Sequence, residues 1–131
     1  MRPPDPVRVL VADDSSLLRR LLRDAIEEVE GVEVVAEAAN GAAALSEVEA
    51  HHPSVVVLDL QMPVMGGLSA LQCLRAQGRD PRVIVLTNHA DETYREACLE
   101  AGADHFFDKS SELDRVLEVL RQWATGLSAQ A

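Results

Sequence analysis

Residues 54–59 have the sequence Ser-Val-Val-Val-Leu-Asp, the most apolar of five short β-branched or aromatic runs in the chain. A continuous run of Val and Leu suits a strand that is buried on both faces, as the strands of a parallel sheet are. The acidic residue Asp59 then stands where the strand leaves the sheet. The segment therefore predicts a central strand with a carboxylate at its carboxyl end.

Helical patterns separate this strand from the other apolar runs. Further strands are predicted over residues 8–12, 32–37, 82–86 and 105–107. Helices are predicted from a cap at Ser15 or Ser16 to a stop at Gly31, over residues 42–50, 68–76 and 91–101, and after a cap at Ser110 or Ser111. Five strand–helix units in succession imply a parallel sheet with right-handed crossovers and helices on both faces. At this chain length we expect an α/β flavodoxin-like (βα)5 fold, a doubly wound parallel sheet with strand order 2-1-3-4-5.

Length, composition and charge limit the possible functions. A chain of 131 residues with 47% apolar residues fits one folded domain. We place this domain at residues 7–125, between a Pro-rich, disordered extension over residues 1–6 and a short tail over residues 126–131. The formal charge of −10 argues against direct binding of nucleic acid or of a membrane surface. Two isolated cysteines and an N-terminus without a signal-peptide pattern predict a cytoplasmic protein.

Polar side chains suited to phosphoryl chemistry follow four of the five predicted strands. Asp13 and Asp14 follow the first, Asp59 the third and Thr87 the fourth, and Lys109 comes soon after the fifth. Taken alone, each has an ordinary interpretation as a helix cap, a turn residue or a solvated charge. Together they would meet in the crevice at the carboxyl ends of the strands, where ligands of open α/β sheets bind. Three carboxylates this close need a cation, and Mg²⁺ is the expected one. A rigidly held Asp59 could then attack phosphorus while Lys109 and Thr87 bind the phosphoryl oxygens.

These residues give the chain a resemblance to the receiver domain of bacterial two-component response regulators, over nearly its whole length. The resemblance rests on Asp13-Asp14, on Asp59 within Val-Leu-Asp-Leu-Gln-Met-Pro, on Thr87 after Ile-Val-Leu and on Lys109 after Ala-Gly-Ala-Asp-His-Phe-Phe-Asp. It implies that Asp59 is the phosphoacceptor. It also implies that Asp14, Asp59 and the backbone carbonyl of Gln61 bind Mg²⁺ directly, with Mn²⁺ able to replace it. Asp13 would act through a bound water.

The same resemblance assigns roles to the remaining site residues. Thr87 and Lys109 would contact the phosphoryl group, and Thr87 and Phe106 would form the conformational switch. The candidates for tuning the phosphoryl lifetime are Gln61, Asn88 and His89. For His89 an ordinary loop role is an equal alternative.

Partners and reaction class also follow from the resemblance. The phosphoryl donor would be a sensor histidine kinase or a phosphotransfer protein. The output would be a protein bound at the face formed by the fourth helix, fifth strand and fifth helix. The chain would be a monomer or weak homodimer that catalyses only its own phosphorylation and dephosphorylation. Because the sequence ends shortly after the fifth helix with a tail that lacks linker character, we expect a stand-alone regulator, with a piece of a longer regulator as the alternative.

Two other functions compete with this one on the same fold. A phosphatase with an Asp nucleophile would need an acid two residues after Asp59, and Gln61 cannot serve as that acid. A phosphorylation-independent interaction domain would commonly lack one or more of the site residues, whereas this chain has all of them. Both alternatives are therefore disfavoured.

The residue after Lys109 and the charges of the first helix also predict local structure. Lys109 is followed by Ser110 where many receivers have a cis proline, so a trans peptide bond is expected here. The first helix carries three arginines, which are predicted to form a solvated face with ion pairs to neighbouring acids. The arginines are Arg19, Arg20 and Arg23, and the acids are Asp24 and Glu27.

Overall fold

Five parallel strands alternate with five helices in the computed structural model, which describes residues 5–126. The strands are β1 Val7–Ala12, β2 Val32–Ala38, β3 Val55–Leu58, β4 Arg82–Thr87 and β5 His105–Asp108. The helices are α1 Ser16–Glu27, α2 Gly41–His51, α3 Gly67–Ala76, α4 Glu92–Glu100 and α5 Leu113–Ala124. The sheet order is β2-β1-β3-β4-β5, and neighbouring strands are parallel. The predicted flavodoxin-like fold and the central position of β3 are confirmed.

The sheet divides the core into two layers, because successive side chains of a strand point to opposite faces. On one face Val9 and Val11 of β1 pack with residues of α1 and α5. On the other face Leu10 and Ala12 pack with residues of α2, α3 and α4. All four residues of β3 are buried. Asp59 therefore follows a strand that is held by the sheet on both sides and by helices above and below.

The start of α5 differs from the prediction. The helix begins after Glu112, whose side chain makes no capping hydrogen bond, so neither Ser110 nor Ser111 is the cap. Ser110 instead donates its N–H and its hydroxyl to Asp108 Oδ1, at 2.9 and 2.7 Å. The Ser110 hydroxyl therefore makes its hydrogen bond within a local turn and does not cap the first turn of the helix. The Lys109–Ser110 peptide is trans, as predicted, and no peptide bond within residues 5–126 is cis.

The other helix starts follow the expected capping chemistry. Ser15, Asn40 and Asp91 each accept a hydrogen bond from the N–H three residues further on, and so cap α1, α2 and α4. Strand ends differ from the predictions by about one residue, whereas α1 ends at Glu27, before the predicted stop.

The ends of the chain fall largely outside the structural description. Residues 1–4 and 127–131, which carry most of the predicted extension and tail, lie outside the described residues. The domain bounds of 7–125 therefore stay a prediction. Among residues 5–126, no helix has the length and apolar character needed to cross a membrane.

Candidate functional site

A cleft of about 350 Å³ lies at the carboxyl ends of the strands. Its lining residues are Asp13, Asp14, Ser15, Leu18, Asp59, Gln61, Asn88, His89 and Lys109. The fold thus brings together every predicted site residue except Thr87 and Phe106, which lie beneath the surface. Ser15 and Leu18 belong to the cleft although the sequence analysis gave them no role there.

The two acidic residues after β1 are held very differently. Asp13 is buried, and its N–H continues the sheet by donating to the Ala38 carbonyl at 3.0 Å. Its Oδ1 accepts a hydrogen bond from the Ser15 N–H at 2.9 Å. Asp14 is exposed, and its carboxylate has no hydrogen-bond partner among the described residues. One carboxylate is therefore fixed, and the other is open to solvent or to a ligand.

Asp59 occupies the centre of the cleft because β3 ends directly before it. Its N–H donates to the Ala12 carbonyl at 3.0 Å, and the residue is only 5% exposed. Its Oδ1 accepts a long hydrogen bond, 3.4 Å, from the Gln61 N–H. The following loop returns so closely that a Cβ at Gly67 would overlap the Asp59 carbonyl oxygen. Glycine is thus the residue that fits there, and the backbone of Asp59 has little freedom.

Lys109 joins the acidic residues from the far side of the cleft. Its Nζ donates to Asp13 Oδ2 at 2.7 Å and to Asp59 Oδ2 at 3.1 Å. Its own N–H donates to the Thr87 carbonyl at 2.9 Å, which fixes the turn after β5. Burial acts to lower the pKa of Lys109, but the hydrogen bonds and negative charges of Asp13 and Asp59 outweigh it. The pKa is raised above its ordinary value, so the ammonium stays charged.

The donor set of the cleft fits a divalent cation. Asp13, Asp14 and Asp59 each offer a carboxylate oxygen, and these three oxygens lie within 4.8 Å of one another. The single ammonium of Lys109 leaves this cluster with excess negative charge. Carboxylate oxygens are the ligands that Mg²⁺ and Mn²⁺ prefer in proteins. These residues could therefore hold such an ion, and Gln61 lines the same cleft.

Thr87 and Phe106 lie in the interior beside the cleft. Thr87 is fully buried, and its Oγ1 accepts a hydrogen bond from the His89 N–H at 3.1 Å. Phe106 is buried in the core layer that packs against α2, α3 and α4. Its carbonyl accepts a hydrogen bond from Arg95 Nη1 of α4 at 3.3 Å. The ring is thus turned inward, and β5 is tied to α4 through its main chain.

The three residues predicted to tune the phosphoryl lifetime, Gln61, Asn88 and His89, line the cleft and are exposed. The His89 ring meets the Tyr94 ring of α4 edge to face, with 6.5 Å between centroids. His89 therefore combines a place at the cleft with an ordinary packing contact, so both alternatives raised from the sequence describe part of its surroundings.

The prediction of a solvated arginine face was wrong for Arg19. Its side chain is only 19% exposed, and its Nη1 donates to the Asp13 carbonyl at 2.7 Å. Arg20 is exposed, as predicted. Arg23 makes the predicted ion pair with Glu27 and a second one with Glu37. Nothing in the sequence distinguishes Arg19 from Arg20, because the contact depends on how α1 is rotated against β1.

Comparison with known proteins identifies the family. Residues 9–121 match the response regulator receiver domain, and the chain belongs to this family. It is similar to the chemotaxis protein CheY of Bacillus subtilis, with 34% identity over 115 residues, 88% of this chain and 95% of the relative. It is 35% identical to the nitrate/nitrite response regulator protein homolog of Haemophilus influenzae over 122 residues, 93% of this chain and 59% of the relative.

A further relative contains a receiver region within a larger protein. The protein-glutamate methylesterase/protein-glutamine glutaminase 5 of Myxococcus xanthus is 40% identical over 109 residues, 82% of this chain but 31% of the relative. The chain thus spans nearly all of the CheY relative, little more than half of the Haemophilus relative and less than a third of the Myxococcus relative.

Solved structures show the same fold. The signal receiver domain of NarL from Mycobacterium tuberculosis has a TM-score of 0.85 and 34% identity, covering 94% of this chain and 99% of that chain. The CheX-CheY-BeF3-Mg²⁺ complex of Borrelia burgdorferi has a TM-score of 0.81 and 28% identity, covering 95% of this chain and 92% of that chain. The protein is therefore a CheY-like receiver domain of the kind found in two-component response regulators.

Proposed function

We propose that this chain accepts a phosphoryl group on Asp59 from the phosphohistidine of a sensor histidine kinase or phosphotransfer protein, and that phosphorylation changes its binding to another protein. The observation that carries the proposal is the placement of Lys109 Nζ between Asp13 and Asp59 in an acidic cleft. A carboxylate held rigidly beside a fixed ammonium suits attack on phosphorus, because positioning and charge neutralisation supply most of the catalysis of phosphoryl transfer.

The transfer itself uses groups that line the cleft together with Thr87, which is buried beside it. An Asp59 carboxylate oxygen forms a bond to phosphorus as the P–N bond to the donor imidazole breaks, and the imidazole nitrogen keeps the electron pair and takes a proton from solvent. Lys109 moves its hydrogen bond from Asp59 to a phosphoryl oxygen, and Thr87 donates its hydroxyl to another. When bound by Asp14, Asp59, the Gln61 carbonyl and, through water, Asp13, Mg²⁺ would neutralise the charge that gathers on these oxygens.

The lifetime of the acyl phosphate would be set at the mouth of the cleft. Hydrolysis requires water to reach phosphorus opposite the Asp59 oxygen. Gln61, Asn88 and His89 are exposed around that opening, so their side chains decide how easily water enters. We assign these residues to tuning the rate at which the phosphoryl group is lost.

The output would pass through Thr87 and Phe106 to the α4-β5-α5 face. Only Cys98 of the nine residues of α4 is buried, and the apolar side chains of Tyr94 and Leu99 are partly exposed on this helix. A helix with so few buried contacts is an element of low local stability, which a small change at the cleft can shift. The CheX-CheY complex of Borrelia burgdorferi supports a protein as the partner of this family member, whether the chain acts as a monomer or a weak homodimer.

Turnover of an external substrate is not part of the proposal. The methylesterase relative matches this chain over only 31% of its own length, so its activity does not transfer with the match. Gln61 has no acidic proton to give to a leaving group, as a phosphatase with an Asp nucleophile would require. The formal charge of −10 disfavours direct binding to nucleic acid.

Intact-mass spectrometry tests the proposal. The chain is incubated with Mg²⁺ and acetyl phosphate, with and without a chelator, as the unsubstituted protein and as Asp59→Asn. One phosphoryl adduct should form, and it should be lost in Asp59→Asn and in the presence of chelator. Asp91→Asn is the matched control, because it makes the same chemical change outside the cleft at a position where Asn also caps a helix, and it should keep the adduct.

Two results would contradict the proposal. An adduct that persists in Asp59→Asn would place the phosphoacceptor elsewhere. A folded chain that forms no adduct and also fails to bind beryllofluoride would favour the phosphorylation-independent interaction domain.

A further inference from the structure

Arg19 of α1 binds the main chain of the acidic cleft. Its Nη1 donates a hydrogen bond to the Asp13 backbone carbonyl at 2.7 Å. Its Nε donates to Glu37 Oε1 of β2 at 3.3 Å, and Glu37 Oε2 accepts a further bond from Arg23 at 2.9 Å. The guanidinium is therefore anchored on one side and binds the main chain between the two acidic residues on the other.

The carbonyl that Arg19 holds belongs to the planar peptide unit that joins Asp13 to Asp14. The rest of Asp13 is fixed independently, through its N–H and through both carboxylate oxygens. The exposed Asp14 carboxylate has no hydrogen-bond partner among residues 5–126. Asp14 therefore lies between two restrained peptide units: Arg19 bonds the carbonyl of the unit before it, and the N–H of the unit after it, that of Ser15, donates to Asp13 Oδ1. Arg19 is thus a side chain from outside this short segment that restrains the main chain from which Asp14 projects.

We propose that Arg19 is a positioning residue that orients Asp14 for the divalent cation and thereby sets the Mg²⁺ affinity of the cleft. The inference rests on the proposed function, because it takes Asp14 as a direct ligand. Groups that orient a metal ligand commonly change the metal affinity by about 10–100-fold when they are removed. Arg19 differs from the usual orienting group in that it holds the main chain and leaves the carboxylate free.

The contact with Glu37 explains why an arginine suits this position. The planar guanidinium can bond Glu37 with one nitrogen and the Asp13 carbonyl with another, whereas lysine offers a single nitrogen for both. The ion pair with Glu37 also offsets the positive charge, which would otherwise repel a cation at the cleft. A lysine at this position should therefore preserve the charge but only part of the orientation.

Isothermal titration of Mg²⁺ into the full chain, with no phosphodonor, tests this role. Arg19→Gln should weaken Mg²⁺ binding by about 10-fold, and Arg19→Lys should weaken it by about threefold. Arg20→Gln is the matched control, since it removes the same charge from the next residue of the same helix. Arg20 is exposed and makes no hydrogen bond or ion pair with a described residue, so the affinity should change by less than about twofold.

The sign of the change separates positioning from simple electrostatics. Removing a positive charge near the cleft would by itself strengthen cation binding, so weaker binding in Arg19→Gln cannot come from the lost charge. Circular dichroism at the titration temperature checks that each variant is folded, which excludes general unfolding as the cause.

The outcomes distinguish this inference from the proposed function. Mg²⁺ binding by folded Arg19→Gln as tight as that of the unsubstituted chain would overturn the inference alone. Should Arg19→Gln fail to fold, Arg19→Lys decides, and an unchanged affinity in that variant would overturn the inference. Failure of the unsubstituted chain to bind Mg²⁺ would overturn the proposed function and the inference together.

Discussion

The two ends of the sheet differ in how their charged side chains are compensated. At the carboxyl end, Asp13, Asp14 and Asp59 face a single ammonium, that of Lys109. At the amino end, one guanidinium, that of Arg75, donates to three backbone carbonyl oxygens. These are the carbonyls of Arg79 at 3.2 Å, Pro81 at 2.9 Å and Gly102 at 2.8 Å.

The difference shows which end contributes stability and which end carries the function. The Arg75 cluster, defined by Arg75 and the three carbonyls that it bonds, ties the turn before β4 to the turn before β5 with satisfied hydrogen bonds. The cleft leaves negative charge unbalanced, which destabilises the folded chain but prepares it for a cation. Removing Arg75 should therefore destabilise the protein at the amino end, whereas removing the charge of Asp14, which accepts no hydrogen bond within residues 5–126, should stabilise it at the carboxyl end.

The largest expected effect is the loss of the Arg75 cluster. Arg75→Ala removes the donor from three carbonyls, and it should lower the free energy of unfolding by about 2–3 kcal/mol. Urea denaturation followed by circular dichroism measures this. The Mg²⁺ affinity should not change, because the cluster lies at the opposite end of the sheet from the cleft.

Arg121→Ala is the control for Arg75→Ala. Arg121 pairs with Glu118 at 2.8 Å, but both side chains are 57% exposed. The loss should be within about 0.5 kcal/mol. Equal losses in the two variants would mean that the carbonyl contacts at the amino end contribute nothing beyond an exposed ion pair.

The second prediction concerns the carboxyl end and has the opposite sign. Asp14→Asn should raise the free energy of unfolding by about 1 kcal/mol without Mg²⁺, because it removes one of three like charges and breaks no hydrogen bond within residues 5–126. Added Mg²⁺ should stabilise the unsubstituted chain more than the variant. Denaturation with and without Mg²⁺ measures both effects, and Asp24→Asn, an exposed position on α1, should change neither. A less stable Asp14→Asn chain would remove the contrast between the two ends.

The apolar runs of the sequence predict both the fold and most of the cleft. Each apolar run specifies a buried strand, and the residue after the run is carried to the carboxyl edge by the parallel topology alone. The pattern of runs is therefore sufficient to predict that Asp13, Asp14, Asp59 and Lys109 lie together. Their neighbours Asn88 and His89 were assigned to the site by the family resemblance, and both line the cleft.

Contacts that depend on how elements pack could not be found in this way. Leu17 and Leu21 fit the helical spacing of apolar residues but are 66% and 54% exposed. The reason is that α1 packs against the sheet through an adjacent row of its side chains. Arg19 differs from Arg20 only through the same rotation. The cap of α5 was misplaced because Ser110 bonds Asp108, a choice between two local hydrogen bonds that the sequence alone leaves open.

The third prediction uses backbone conformation to compare the two ends. Val64, in the loop after β3, has φ +68° and is 85% exposed. A β-branched residue in the left-handed region is strained by about 1–2 kcal/mol, and part of any gain from glycine is lost to the greater entropy of the unfolded chain. Val64→Gly should therefore raise the free energy of unfolding by about 0.5–1 kcal/mol.

Gly78 provides the reverse experiment at the amino end. It has φ +74°, and a Cβ there would meet no atom within 4 Å, so Gly78→Ala adds strain without a steric clash. It should lower the free energy of unfolding by about 1 kcal/mol. Urea denaturation of both variants measures the pair. A destabilised Val64→Gly chain would show that the Val64 side chain makes a favourable contribution larger than its strain.

The smallest expected effect is a pH dependence at the amino end. His105 begins β5, and its ring lies 5.4 Å from that of Phe107 and 5.8 Å from that of Trp123. Burial lowers the pKa of His105 below 6.5, against the opposing effect of the Asp104 charge. The Arg82 guanidinium, over the Trp123 ring at 4.6 Å, adds a positive charge to these surroundings.

The sign of the dependence follows from which state binds the proton. Below pH 6.5, the ordinary pKa of histidine, His105 binds a proton in the unfolded chain but remains neutral in the folded chain. The free energy of unfolding therefore falls as the pH decreases. The change should stay under about 1 kcal/mol, because the ring is only half-buried and solvent screens it. Thermal unfolding at pH 7 and pH 5.5 should show a smaller pH difference in His105→Phe, which keeps the ring packing. A full pH difference in His105→Phe would assign the proton to another group.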